Sequence, residues 1–347
     1  MSSEKIRSEN VERFFLRNGM SLASIREDYD YNIVGLKADM TNPTLDQYIL
    51  EILSTNFQNK VNMFIPGRAF KSLSVTGTSC DLHCEHCDNK YLEIMEDVSS
   101  EEKFRAVLDK LVDKNAQGCL ISGGCDAEGK VPVLQFFDVL KEYRETTDLI
   151  FNYHTGLLDD EEIDRLVGLK PHLVSFDFTV DEEIIKNVYH HEKKEPSDYI
   201  RVLESLISRG INVVPHITLG LNFGRINKEF AALELLKQYN FDLLVFIVII
   251  PPDSSGQFSV PDSKQIRNVF LTARLLFPET EISLGCMRPR GKQYQFIENA
   301  AVEAGFNRYV IPSKLTQRAF KKRHLSVETY EACCAIPLRH YNALKEK

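Results

Sequence analysis

The chain has 347 residues, of which 43% are hydrophobic and 27% charged, and its formal net charge is −8 at pH 7. This is the composition of a globular enzyme able to bury a sizeable core; it excludes a disordered chain, and the acidic balance without a long basic run excludes an electrostatic grip on nucleic acid or anionic lipid. The longest apolar run, LLVFIVII at 243–250, is too short for a membrane span, and the polar start MSSEKIRSEN lacks a signal-peptide core, so a cytoplasmic protein is expected, with eight cysteines serving metal ligation, reactivity or packing instead of disulfides.

Taken in chain order, residues 1–68 contain no cysteine and read as a helical extension, with amphipathic stretches at 8–18, 21–28 and 44–56. From 69 to 313, β-rich runs alternate with helix-length amphipathic segments, the pattern of βα units around a parallel sheet. The strand-like runs lie at 72–77, 118–124, 149–156, 173–178, 211–220, 242–250, 282–286 and 308–312. Helical segments lie at 102–115, 133–145, 159–169, 198–209, 228–239, 263–277 and 293–304. Eight runs suffice for a closed (β/α) TIM-type barrel and the first six for a partial one. In either, functional residues gather at the C-terminal ends of strands. Residues 314–347 read as an irregular tail carrying Cys333 and Cys334, and its basic stretch RAFKKRHL, 318–325, reads as a solvated helix face or a docking surface.

The cysteines follow the strand-end rule. TGTSCDLHCEHCDNKY places Cys80, Cys84 and Cys87 in a C-x3-C-x2-C spacing just after the first strand-like run. Three thiolates bind three irons of a [4Fe–4S] cube and leave the fourth iron open to a substrate. A structural zinc knot, with His83 or His86 as fourth ligand, is the competing reading. Cys125 ends the second run and Cys286 the seventh, whereas Cys119, near the start of its run, reads as a packed core thiol. Asn152, His154, His216 and Thr218 stand on the third and fifth runs, where they would face the lumen, although a lone histidine is more often a hydrogen-bonded structural residue.

The triplet and its βα context resemble the radical S-adenosylmethionine (SAM) superfamily. The resemblance implies a radical SAM barrel, full or partial, whose open iron chelates SAM and whose cluster splits it reductively to methionine and a 5′-deoxyadenosyl radical. LISGGCDAEGKVP is similar to the family's GGE motif, implying that Gly123 and Gly124 bring backbone to the methionyl amino group, with Cys125 in place of the usual Glu. The same resemblance gives Asp177 the ribose hydroxyls, with a helix N-cap as its structural alternative, and gives His86 the ring position before the last cysteine that contacts adenine.

Further along, ISLGCMRPRGKQYQFIENAAVEAGFNRYVIPS resembles the late strand, helix and strand of biotin synthase, where a strand-end arginine contributes to an auxiliary cluster; here Arg288 and Arg290 follow Cys286. The interior strand cysteines of biotin synthase fall at Asn152 and near Val214, and the single-chain lipoyl synthase with its N-terminal cysteine motif is excluded because no cysteine precedes Cys80. The segments GCMRPRG and CCA make the chain most similar to components of a two-protein lipoyl synthase. That resemblance implies sulfur insertion into a protein-bound octanoyl chain. A second Fe–S cluster would donate the sulfur, held by Cys286, Cys333 and Cys334 with Cys125 as a fourth. The implied partners are an octanoylated carrier protein or domain, a second radical SAM subunit and an electron donor such as ferredoxin or flavodoxin. Two alternatives stay open: a radical SAM enzyme of another outcome (biotin synthase-like thiolation, methylation or rearrangement), and a non-catalytic subunit that binds SAM or iron.

Overall fold

The structure, a computed structural model, describes residues 5–18, 21, 43–252 and 256–339. The helix expected at 21–28 lies outside the described residues apart from Ser21. Eleven strands form one sheet: β1 (Lys60–Phe64), β2 (Phe70–Ser74), β3 (Glu96–Asp97), β4 (Gly118–Ser122), β5 (Ile150–His154), β6 (Leu173–Asp177), β7 (Val213–Leu219), β8 (Leu243–Val248), β9 (Glu281–Leu284), β10 (Arg308–Val310) and β11 (Ser326–Tyr330). Their order is β11-β1-β10-β9-β8-β7-β6-β5-β4-β2-β3, every pairing is parallel, and the sheet curls into an open half-barrel. The partial barrel is therefore the form adopted. Its C-terminal strand ends share one rim.

The helices are α1 (Ser8–Arg17), α2 (Pro43–Phe57), α3 (Glu101–Asp113), α4 (Phe137–Thr146), α5 (Asp160–Gly168), α6 (Pro196–Ser208), α7 (Glu229–Leu236), α8 (Ser263–Leu276), α9 (Gln295–Glu303) and α10 (Lys314–Lys322). Their starts are written locally. Ser100 accepts from the Lys103 amide to open α3, and Asp159 with Glu162 forms a capping box at α5, devices that each contribute about 1 kcal/mol. Phe104, Leu108 and Leu111 then recur at helical spacing and bury α3 against the sheet. Among the described residues, no helix is long and apolar enough to cross a membrane.

Besides the two-residue edge strand β3, two regions contribute strands that periodicity did not reveal. β1, KVNMF, arises within the helical extension and lies between β10 and β11; β11, SVETY, arises within the tail. Each is short, and neither alternates cleanly in polarity, because β1 is covered on both faces and β11 is an exposed edge.

Strand periodicity sorts side chains between two cores. Phe151 and Tyr153 of β5, Val174 and Phe176 of β6, and Ile282 and Leu284 of β9 belong to the large core. Their neighbours Ile150, Leu173 and Val245 belong to a second core in the concave lumen, joined there by Ala332, Cys334, Ala335 and Ile336 of the tail. Cys119 is fully buried in the large core, as a packing thiol should be. The same alternation turns Asn62, Asn152, His154, Ser175, Asp177, His216, Ser283 and Arg308 toward the lumen, the face on which a half-barrel builds its site.

Candidate active site

The loop after β2 carries Cys80, Cys84 and Cys87, all half-buried and unpaired. It is tied to the end of β4 by the Asp81 amide, which donates to Cys125 O at 2.8 Å, and by the Cys125 amide, which donates to Cys80 Sγ at 3.3 Å. On its other side the Glu85 amide donates to Val188 O at 2.9 Å, and Cys84 Sγ lies 3.8 Å from Tyr189 O. Gly124 is required by this packing: a Cβ there would overlap the Ser79 carbonyl and Cys80 Cβ. Its amide donates to Thr76 Oγ1 at 2.8 Å, while a Cβ on Gly123 would press Val75 and Thr76 at 3.1 Å. The two glycines thus bring β4 backbone against the cysteine loop.

Burial, reinforced by the charges of Cys80 and Cys87, pushes the Cys84 thiol up to about 12; burial also raises Cys87 and Cys125. Thiols raised in this way become thiolates only beside a strong positive centre, which is what a metal cluster provides. Among the described residues no three His, Cys, Asp or Glu side chains converge on a single metal ion. His83 turns outward to Asp88 at 3.5 Å. His86 is half-buried beside Tyr189, with ring centroids 5.6 Å apart, and desolvation of its ring lowers it to about 4. Its Nδ1 is enclosed and unpartnered, an orphaned polar atom aimed away from solvent beside the cysteine loop.

Across the lumen, His154 Nε2 lies 3.2 Å from Asp177 Oδ2. Burial alone would raise the Asp177 carboxyl, but the charge and hydrogen bond of His154, followed by His216 and His86, bring it down to about 2. Asp177 in turn raises His154 against its own burial. His216 is lowered to about 4 by burial, and its Nδ1 sits 3.0 Å from Val214 O, so that nitrogen carries the proton and Nε2 is left as an acceptor. Beside this band a small crevice is lined by Asp177, Tyr189, His216, Thr218 and Glu229 among others. Asp177, assigned to a ribose from sequence, is thus also the counter-ion of a histidine that the sequence offered only as lumen lining.

The tail cysteines of the second group are positioned by tertiary structure. The tail after β11 turns back into the lumen, where Cys333 Sγ accepts from the Ala335 amide at 3.4 Å and lies 4.0 Å from Asn152 Nδ2. Ser175 Oγ donates to Asn152 Oδ1 at 3.0 Å and fixes that amide. Cys333 and Cys334 are in side-chain contact and both sense the Arg308 charge; the contact with Cys334 lowers the Cys333 thiol. Cys286, at the rim beyond β9, is an exposed residue; desolvation around its sulfur, and after it the charge of Cys334, raises the thiol to about 11.

Cys125, expected as a fourth member of this group, does not join it: its backbone bonds hold it against Cys80. Arg288 and Arg290 are likewise committed elsewhere. Arg288 is buried on Gly285 O, Glu298 and Val310 O, and Arg290 donates to Ile311 O at 2.6 Å. The arginine that faces the tail is Arg308, fully buried, over the Phe64 ring at 4.3 Å and donating to Ile336 O at 2.5 Å. Sequence reading missed it, and the available signal was a charged residue inside the strand RYV. Arg308 Nε, Asn62 Oδ1 and Ser283 Oγ are buried without standard hydrogen-bond partners, in adjacent positions across β1, β10 and β9.

The radical SAM superfamily profile matches residues 74–225. Solved structures similar to the chain include methylornithine synthase (13% identity, TM-score 0.57, covering 94% of this chain and 95% of that one) and the FeFe-hydrogenase maturase HydG from Carboxydothermus hydrogenoformans (17%, 0.60, 87% and 70%). A second HydG structure, 12% identical, gives a TM-score of 0.62 over 99% of this chain and 84% of that one. At such identities the likeness is one of fold. No curated protein sequence matches the chain. Residues 74–225 thus match a radical SAM domain, a domain that implies an enzyme with a [4Fe–4S] cluster and SAM; the match includes the Cys80 loop and excludes Cys286, Cys333 and Cys334.

Proposed function

We propose, with the radical SAM domain as premise, that the enzyme inserts sulfur into an unactivated C–H bond of a protein-bound octanoyl chain. The observation that carries this reading is the return of the tail into the lumen with Cys333 and Cys334, away from the Cys80 loop, while Cys286 stands exposed at the rim beyond β9. The residues fit the groups the reaction needs. The Cys80 loop offers three half-buried thiols, an amide already donated to one sulfur and the glycine cradle of β4. The tail offers two more thiols near the buried Arg308 guanidinium, and Cys286 offers another at the rim.

Cys80, Cys84 and Cys87 would hold the [4Fe–4S] cluster, which with SAM supplies a radical able to take hydrogen from carbon. Cys286, Cys333 and Cys334 would hold the auxiliary Fe–S cluster, the source of sulfur. The chain's own side chains do the rest. Leu120, Val245 and Ile247 provide an apolar wall for an alkyl chain, and the tail closes the lumen floor against water. His154 keeps Asp177 ionised as a fixed acceptor for hydroxyl donors, and His216 Nε2 adds a second. Asn152, oriented by Ser175, directs its amide toward Cys333.

A second reading rests on the polar band itself. His154, Asp177 and His216 would suit a small polar substrate, with the tail cysteines serving structure and the outcome a rearrangement or methylation. Iron and acid-labile sulfide on anaerobically reconstituted protein, with product analysis on an octanoylated peptide, separate the two. About eight irons, 5′-deoxyadenosine and a sulfur mass gain support sulfur insertion. About four irons, with SAM cleavage and no thiolation, support the second reading.

A further inference from the structure

The stretch 311–325 contains five Lys and Arg residues and no Asp or Glu, in a chain of net charge −8. Arg323 is paired with Asp46 at 2.7 Å. Lys314, Arg318, Lys321 and Lys322 are exposed and have no acidic partner among the described residues. Their spacing puts them on one face of α10, while Thr316 and Phe320 bury the opposite face. Beside the cations stand two of the most exposed apolar side chains in the described part of the chain, Ile311 at 51% and Leu315 at 53%.

The patch begins at the rim of the half-barrel. β10 ends there, Ser313 caps α10, and Arg290 joins the start of the patch to the cysteine loop of β9 by donating to Ile311 O at 2.6 Å and contacting Cys286 O at 3.5 Å. Exposed Lys292 adds a further cation to the same rim. Six strands separate β10 from β2 in the sheet, so the patch borders the Cys286 side of the mouth and not the Cys80 loop.

We infer that the outer face of α10, with Ile311 and Leu315 at its centre, docks the acidic carrier domain that brings the acyl substrate to the mouth. This rests on the acyl-carrier reading above. A carrier must seat its arm beside the second cysteine group, whereas an electron donor must approach the Cys80 loop at the other end of the sheet. Local positive charge in an acidic protein selects the orientation of an acidic partner and speeds encounter, and the apolar pair supplies the dry centre such an interface needs. A polyanion or membrane fits less well, because the remainder of the surface carries the opposite sign.

The test uses the reconstituted full chain and its K314E/R318E/K321E variant, with an octanoylated lipoyl-carrier domain of net negative charge and a short octanoyl-lysine peptide as probes. Binding is titrated without turnover. The variant is expected to bind the domain at least about tenfold more weakly at low salt, and wild-type binding to weaken comparably on moving to about 0.5 M salt. Peptide turnover and SAM cleavage stay unchanged, and the neutral K314Q/R318Q pair gives a smaller loss in the same direction. Equal binding by variant and wild type, indifference to salt, or a preference for anionic vesicles or duplex RNA over the carrier overturns the inference. If the domain binds in this charge-dependent way yet neither probe gains sulfur, the sulfur-insertion reading fails and the surface stands; if the peptide is thiolated and charge reversal is silent, the surface fails and the reading stands.

Discussion

The two cysteine groups are built by opposite means. Cys80, Cys84 and Cys87 sit within eight residues of one loop, and their relative positions are set by local backbone bonds such as Cys87 N to Cys84 O at 3.0 Å. Cys286, Cys333 and Cys334 come from a strand end and a distant tail, and the tail pair reaches the lumen only because Arg308 and the lumen core draw the tail inside. The first group is a property of a loop. The second is a property of the fold, so it should be the more sensitive to changes made far from it.

The sharpest way to break this comparison is to remove each group in turn. Replacing Cys80, Cys84 and Cys87 by Ala is expected to abolish SAM cleavage, lowering 5′-deoxyadenosine formation by at least about a thousandfold, because the one thiol left beside that loop, Cys125, cannot hold a cluster alone. Replacing Cys333 and Cys334 by Ala should leave SAM cleavage within a few-fold, remove about four irons and end sulfur transfer. Iron analysis with product chromatography checks both. If the tail variant retains its full iron content, the two groups are not two cluster sites.

The structural dependence of the second group is probed by Arg308→Met. Arg308 is fully buried and joined to Glu281 and to Ile336 O at 2.5 Å each, so its removal leaves a carboxylate short of its partner and the tail short of its anchor. A loss of about 3 kcal/mol is expected, seen as a lower urea midpoint, together with selective loss of the tail-held iron. Gly124→Ala makes the corresponding cut at the first group. Its new methyl overlaps the Ser79 carbonyl and Cys80 Cβ, and the expected cost is about 1–3 kcal/mol with poor loading of the Cys80 site. If that variant loads normally, the glycine is not the contact that seats the loop.

The contrast also explains what could be read in advance. The Cys80 loop, the βα alternation and the buried Cys119 were legible because spacing and period are local signals. The opening of the barrel was not, since closure depends on how the edge strands curl and on two short strands, β1 and β11, that lack a clean alternating pattern. Cys286, Cys333 and Cys334 were named from resemblance, but the return of Cys333 and Cys334 into the lumen was not visible in the chain. Cys125 was misplaced among them because strand-end position alone does not say which neighbour a side chain meets. Arg308 went unnoticed because the sequence offered Arg288 and Arg290 nearer to a cysteine, and only the alternation of β10 turns Arg308 inward.

The smallest expected effect lies between the two groups, in the His154–Asp177 pair, and its sign is fixed by the two shifts. Asp177 is depressed to about 2, so its contribution to stability is complete above the ordinary carboxylate range and is lost as pH falls toward that value. His154 is raised, so its contribution is present below an ordinary histidine value of about 6.5 and is lost as pH rises through its folded value. The pair therefore stabilises most in mildly acidic solution. Because the side chains are 30% and 46% exposed, solvent screening keeps the effect under about 1 kcal/mol. Urea unfolding of wild type and Asp177→Asn should show a stability gap at pH 6 that narrows by pH 9. A gap that stays constant or widens would mean that Asp177 stabilises the lumen through contacts independent of His154 ionisation, leaving the histidine free to serve the substrate alone.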